Sequence, residues 1–212
     1  MNVNHNFGFY AILTNPARGY EYLTRLLVDH EVPFVQLRMK DAADDEIVRQ
    51  AETMRHLTQG TSTRLIVNDS PRLAALVGAD GVHLGQSDMP FAQAREIVGD
   101  DAIVGLSTHN PQQTADACAL QPDYIGIGPV YATPTKKLPD PVLGLDTMHE
   151  MVLRATVPAV CIGGIDLANL HDVLAAGARN VCMVRQLCAA ADPEGVLKKA
   201  LQIIADYGRE QS

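Results

Sequence analysis

The sequence predicts an α/β protein of the (βα)8 TIM-barrel type, a single domain over residues 1–212. Three observations predict it. Short Val- and Ile-rich runs alternate with longer amphipathic stretches, the signature of βα units and a parallel sheet. Eight such pairs follow one another without a break in composition. Polar and glycine-rich residues collect where the predicted strands end, which is where this fold places its active sites. An open doubly wound sheet is the alternative, but it leaves an edge and usually has fewer strands. At 212 residues the chain is short for a closed barrel, so its connections must be tight.

Taken in order, the strands are predicted over 9–14, 34–38, 65–68, 81–84, 103–107, 124–128, 159–163 and 181–184. The helices that follow them are predicted over 19–30, 43–59, 71–77, 90–98, 111–120, 146–154, 167–176 and 193–207. Pro111 and Pro193 stand where a first helical turn begins, and Asn110 and Asp192 precede them as N-caps.

Composition narrows the function classes. A hydrophobic fraction of 47% against 20% charged residues is globular, neither disordered nor fibrous. The formal net charge of -8 argues against a nucleic-acid or anionic-membrane surface. It does not exclude anionic small molecules, since a local cluster of Lys and Arg outweighs a global charge. Cys118, Cys161, Cys182 and Cys188 show no zinc-ligand spacing and read as small buried hydrophobes, which suits a reducing cytoplasm. Residues 1–6 are polar and lack a basic start before an apolar stretch, so no signal peptide is expected. No apolar run approaches the ~20 residues that span a bilayer. The expected location is cytoplasmic, and homo-oligomerisation is left open.

The chemistry begins at Val35 to Lys40. Strand side chains alternate faces, so Val35, Leu37 and Met39 face the helices while Gln36, Arg38 and Lys40 point into the barrel. A solvated strand edge with a basic rim is the bland alternative, but a closed barrel has no edge. The sharper reading is an anion clamp, with a planar donor fork from Arg and a point charge from Lys. Asn68 and Asp69 end the third strand, and Asp88 follows the fourth. Two carboxylates on neighbouring strand ends beside a clamp suggest magnesium, which takes one or two protein carboxylates and phosphate oxygens. The alternative makes Asp69 and Asp88 helix N-caps.

Gly81, Gly85, Gly105, Gly126 and Gly128 thin the inner faces of three strands. This is expected to leave room for a flat ligand, with His83 and Ser107 hydrogen-bonding its edges. A satisfied core histidine is the alternative for His83, and His109 reads as a loop residue. The connection from Gly128 to Gly144 is long for a compact barrel and carries Thr133, Thr135 and Lys136, a candidate lid. Gly163-Gly164 ends the seventh strand and Val184-Arg185 the eighth. Loops after strands seven and eight form the frequent phosphate site of the fold, and glycine lets backbone N–H groups approach an anion closely.

Together these segments resemble the thiamine-phosphate synthase family over the whole chain. The resemblance rests on Val35 to Lys40, Asn68-Asp69, Asp80 to Asp88, Gly105 to His109, Tyr124 to Val130, Thr133 to Lys136 and Ile162 to Ile165. It implies that Gln36, Arg38, Lys40, Asn68, Ser107 and Lys136 bind a pyrimidine pyrophosphate and that Asp69 and Asp88 hold Mg2+. It implies further that Thr133, Thr135, Gly164 and the Val184-Arg185 backbone bind a thiazole phosphate. The implied reaction joins these two phosphorylated small molecules with loss of pyrophosphate, Arg38, Lys40, Lys136 and Ser107 serving catalysis. The family commonly has Ser where this chain has Arg185. A backbone N–H contact survives that change, and the Arg side chain either adds a phosphate contact or crowds the site. Two rival functions are a thiazole tautomerase, which needs neither clamp nor paired aspartates, and a non-catalytic precursor binder, which has no leaving group to stabilise.

Overall fold

A computed structural model describes residues 3–133 and 140–210. Eight parallel strands close on themselves in sequence order, β1 pairing with both β2 and β8. They are β1 (Phe9–Leu13), β2 (Phe34–Leu37), β3 (Arg64–Asn68), β4 (Gly81–Leu84), β5 (Ile103–Thr108), β6 (Tyr124–Ile127), β7 (Ala159–Cys161) and β8 (Asn180–Met183). The helices are α1 (Tyr20–Asp29), α2 (Asp44–Thr58), α3 (Pro71–Leu76), α4 (Phe91–Val98), α5 (Pro111–Ala119), α6 (Gly144–Arg154), α7 (Leu170–Ala175), α8 (Arg185–Cys188) and α9 (Pro193–Glu210).

Closure splits the apolar residues into two cores. Val35, Leu37, Val82, Leu84, Val104, Leu106, Ile125 and Ile127 pack outward against the helices. Tyr10, Ile12, Phe34, Ile66, Ile103, Tyr124, Val160 and Cys182 fill the barrel interior. The period-two assignment of faces along β2, β4, β5 and β6 therefore holds. Phe7 stops the lower end, its ring centroid 4.7 Å from that of Phe34. Asn180 ties this plug in place by accepting the backbone N–H groups of Phe7 and Gly8 at 2.7 and 2.9 Å. Among the described residues, no helix is long and apolar enough to cross a membrane.

Helix starts follow local chemistry. Asn110 accepts Gln113 N–H at 2.9 Å ahead of Pro111, and Asp192 accepts Gly195 N–H at 3.0 Å ahead of Pro193. α2 has no side-chain cap, but Asp44, Asp45 and Glu46 crowd its first turn, where the helix dipole favours negative charge. Of the predicted boundaries that move, three have a plain local cause. β7 stops at Cys161, because Gly163 and Gly164 take φ of 100° and 65° and turn the chain away. α7 starts at Leu170, since an Asp166–Asn169 turn occupies the preceding residues. β8 stops at Met183, and an unpredicted single-turn helix, α8, opens at Arg185.

Candidate active site

The strand C-termini surround one cavity of about 1190 Å3. It is lined by Gln36, Arg38, Lys40, Asn68, Asp69, His83, Asp88, Ser107, Thr133, Gly164, Val184 and Arg185, so every described residue expected to bind substrate or metal reaches one space. Thr135 and Lys136 lie outside the described residues.

On the β2 side, Arg38 N–H donates to Leu13 O at 3.0 Å, carrying the ladder one residue past the strand. This keeps Gln36 and Arg38 on the cavity side. Burial lowers the Arg38 pKa from its ordinary value, and the Asp69 and Asp41 carboxylates oppose that by favouring the charged form. Lys40 donates from Nζ to Asp69 Oδ2. Asp69 itself sits at a left-handed φ of 65°, a conformation Asp tolerates, and its N–H donates to His83 O at 2.8 Å.

Asp69 and Asp88 face each other. Burial raises the Asp69 pKa most, the Asp88 carboxyl adds to it, and Lys40 counters both. Asp88 is held by its own turn, accepting Gly85 N–H at 2.7 Å on Oδ2. Neither carboxylate caps a helix: Ser70 caps α3 by accepting Leu73 N–H at 3.3 Å, and α4 has no side-chain cap. The N-cap alternative is thereby removed. Two partly buried, mutually repelling carboxylates, one of them paired with an ammonium, suit a hard divalent cation.

The glycine expectation needs correcting. A Cβ on Gly105 would stand 2.2 Å from Tyr124 Cζ, and one on Gly81 would stand 2.1 Å from Ile103 O. These glycines admit neighbouring side chain and backbone, not a ligand. Gly85, Gly126 and Gly128 do line the cavity. His83 is also more engaged than expected: its Nδ1 lies 2.9 Å from Tyr124 Oη and its Nε2 2.9 Å from Ser107 Oγ.

On the opposite wall, Gly163 and Gly164 cannot be replaced without collision. A Cβ would meet Pro129 Cα at 2.5 Å from Gly163, and Tyr131 Cβ at 2.7 Å from Gly164. Val184 and Arg185 do not continue strand alternation, because Val184 is the N-cap residue of α8. Arg185 reaches the cavity as the first residue of that turn.

Sequence reasoning missed His109, Tyr10 and Tyr124. His109 Nδ1 lies 2.6 Å from Gly128 O, and Nε2 lies 3.5 Å from Asp140 Oδ2. Its spacing of two from Ser107 was the available signal. Tyr10 and Tyr124 carry inward parity with Ile12 and Gly126, but only closure shows that their hydroxyls meet 2.7 Å apart.

A closed parallel barrel with cations, paired carboxylates and a glycine turn at its strand C-termini is a (βα)8 protein whose polar residues gather where that fold places active sites. The sequence matches the family described as thiamine monophosphate synthase over residues 10–187, and the chain belongs to that family. It is 35% identical to the thiamine-phosphate synthase of Caldicellulosiruptor bescii over 203 residues, 96% of this chain and 93% of that protein. It is 42% identical to the Synechocystis sp. thiamine-phosphate synthase over 182 residues, 86% of this chain, but spans only 53% of that protein. The fold is similar to that of a thiamine phosphate pyrophosphorylase from Pyrococcus furiosus, with a TM-score of 0.87, 27% identity and coverage of 96% and 98% of the two chains.

Proposed function

We propose that the chain is a transferase joining 4-amino-2-methyl-5-pyrimidinylmethyl pyrophosphate to 4-methyl-5-(2-phosphooxyethyl)thiazole, giving thiamine phosphate and pyrophosphate. The observation that carries this reading is the meeting of Arg38 and Lys40 with the facing carboxylates Asp69 and Asp88 at one end of a cavity closed opposite by the Gly163-Gly164 turn. Such a mouth receives a pyrophosphate on one wall and a phosphate on the other.

The bond from the pyrimidinylmethyl carbon to the bridging oxygen breaks, and its electron pair leaves with pyrophosphate. The thiazole nitrogen lone pair then forms the new C–N bond. No base or nucleophile is needed, only stabilisation of the charge that departs. Arg38 and Lys40 bind the pyrophosphate oxygens, and Ser107 donates its hydroxyl proton to them. Asp69 and Asp88 would hold Mg2+, which would supply further charge neutralisation to the leaving group. Gln36 Oε1 is a buried acceptor without a hydrogen-bond partner and accepts a hydrogen bond from the pyrimidine amino group. Thr133, Gly164 and the Val184-Arg185 backbone hold the thiazole phosphate.

The test supplies both substrates with Mg2+ and measures thiamine phosphate by chromatography. Formation of product with stoichiometric pyrophosphate supports the proposal. Isomerisation of the thiazole alone indicates the tautomerase, and binding without turnover indicates the precursor binder.

A further inference from the structure

Five polar side chains form a continuous chain across the barrel beneath the cavity. Gln36 Nε2 donates to Tyr10 Oη at 3.0 Å, and Tyr10 Oη lies 2.7 Å from Tyr124 Oη. Tyr124 Oη lies 2.9 Å from His83 Nδ1, and His83 Nε2 lies 2.9 Å from Ser107 Oγ. The two phenols are buried, 2% and 1% exposed, and so is Gln36 at 1%. The chain thus links β2 to β5 through the interior.

Proton counting restricts it. Burial raises both phenol pKa values, so each keeps its one proton at neutral pH. A phenol flanked by two partners donates to one and accepts from the other. With a neutral imidazole, four bonds in series then have two self-consistent directions. If Gln36 donates its amide N–H, Tyr10 donates to Tyr124 and Tyr124 to His83 Nδ1. His83 then carries its proton on Nε2, donates to Ser107, and leaves the Ser107 proton free for the cavity. If the amide faces the other way, every bond reverses. Ser107 then spends its proton on His83 and offers only lone pairs to the cavity.

We propose that Tyr10, Tyr124 and His83 form a one-way hydrogen-bond relay that couples Gln36 to Ser107. The relay presents an acceptor to an aminopyrimidine and a hydroxyl donor to its departing pyrophosphate. This rests on the function proposed above. The direction follows from the site. Ser107 opens on the cavity shared with Arg38 and Lys40, where the ligand is anionic and a lone pair would repel it. The same direction turns Gln36 Oε1, buried and unpartnered, towards a ligand donor. The reverse direction spoils both ends at once. Gly105 supports the device, since a Cβ there would stand 2.5 Å from Tyr124 Oη and displace the central phenol. Tyr10, Tyr124 and His83 are positioning residues in this scheme, and the relay selects a 4-amino over a 4-oxo pyrimidine.

Two measurements on the full chain test it. The first is the 15N spectrum of the His83 ring, assigned by its loss in His83→Gln. The relay requires Nδ1 in the unprotonated range and Nε2 in the protonated range, with that preference lost in Tyr124→Phe. A proton on Nδ1 overturns the direction, whatever the chain catalyses. The second is a double-mutant cycle with the aminopyrimidine pyrophosphate and the thiazole phosphate. Tyr124→Phe should lower kcat/KM for the pyrimidine about ten-fold, with KM for the thiazole phosphate unchanged. Tyr10→Phe should do the same and guards against a variant that folds poorly. Tyr124→Phe combined with Ser107→Ala should be no worse than the worse single variant. Multiplying effects would overturn the coupling. A wild type that makes no thiamine phosphate would remove the proposed function, while the spectrum still decides the relay.

Discussion

Arg38 and Lys40 are held in different ways, and this shapes what each does. Lys40 is paired with Asp69, whereas the Arg38 side chain makes no hydrogen bond or ion pair among the described residues. A partly buried guanidinium that no described side chain bonds directly is prepared for an anion, because ligand binding repays desolvation already incurred in folding. Pyrophosphate should therefore raise the melting temperature of the wild type. Arg38→Ala with Lys40→Ala should lower pyrophosphate affinity at least ten- to hundred-fold, the equivalent of about 1.5–3 kcal/mol for one charge-assisted bond. Undiminished protection in the double variant would place the clamp elsewhere. Arg185 makes a second residue-level case. Its place at the start of α8, on the wall with Gly164, predicts that Arg185→Ser raises KM for the thiazole phosphate modestly and leaves the pyrimidine substrate nearly unaffected. Steady-state kinetics varying each substrate decide this, and a shift confined to the pyrimidine substrate contradicts it.

At the scale of elements, the lower rim of the barrel is stapled by carboxylates that precede alternate strands. Asp80, before β4, accepts Leu65 N–H of β3 at 2.8 Å and Arg55 at 3.2 Å. Asp123, before β6, accepts Val104 N–H of β5 at 2.8 Å and Arg95 at 2.8 Å. Arg95 also donates to Gly99 O at 3.1 Å, so one guanidinium fastens the end of α4 to two strands. Asp123→Ala strands the Val104 N–H and takes from Arg95 its carboxylate partner. It should destabilise by about 1–3 kcal/mol, read as a lower denaturant midpoint with an unchanged slope. Asp123→Asn should recover part of the loss through its remaining acceptor. Elements were also where the sequence was most and least legible. Period two along β2 placed Gln36 and Arg38 inward because a strand rigidly alternates. The end of the eighth strand was less legible, because the backbone leaves the ladder at Met183 and Arg185 opens a helical turn instead of ending the strand. The interior glycines were misread for a related reason. Which side chain faces Gly105 depends on strand register, and the β5–β6 pairing sets Tyr124 directly beside it.

At the scale of the whole molecule, closure makes two dry cores and one wet mouth. Cys118, Cys161, Cys182 and Cys188 are all buried, as their apolar sequence context predicts. Burial pushes the Cys161 thiol up to about 12 and raises Cys182 and Cys188 as well. At pH 8 these three thiols are protonated in the native state and poor nucleophiles. A thiol reagent should label the folded chain slowly and the urea-unfolded chain at all 4 positions. Rapid native labelling would show that the cores open readily.

The central claim is that the mouth of this barrel stabilises departing pyrophosphate. The most direct measurement is single-turnover formation of thiamine phosphate from both substrates by wild type, Asp69→Ala and Asp88→Ala, each with Mg2+ and with chelator. Product is expected from wild type with Mg2+, with at least a hundred-fold loss in chelator and in either variant, roughly the scale of one electrostatic stabiliser. Full product from both variants in chelator would contradict the account.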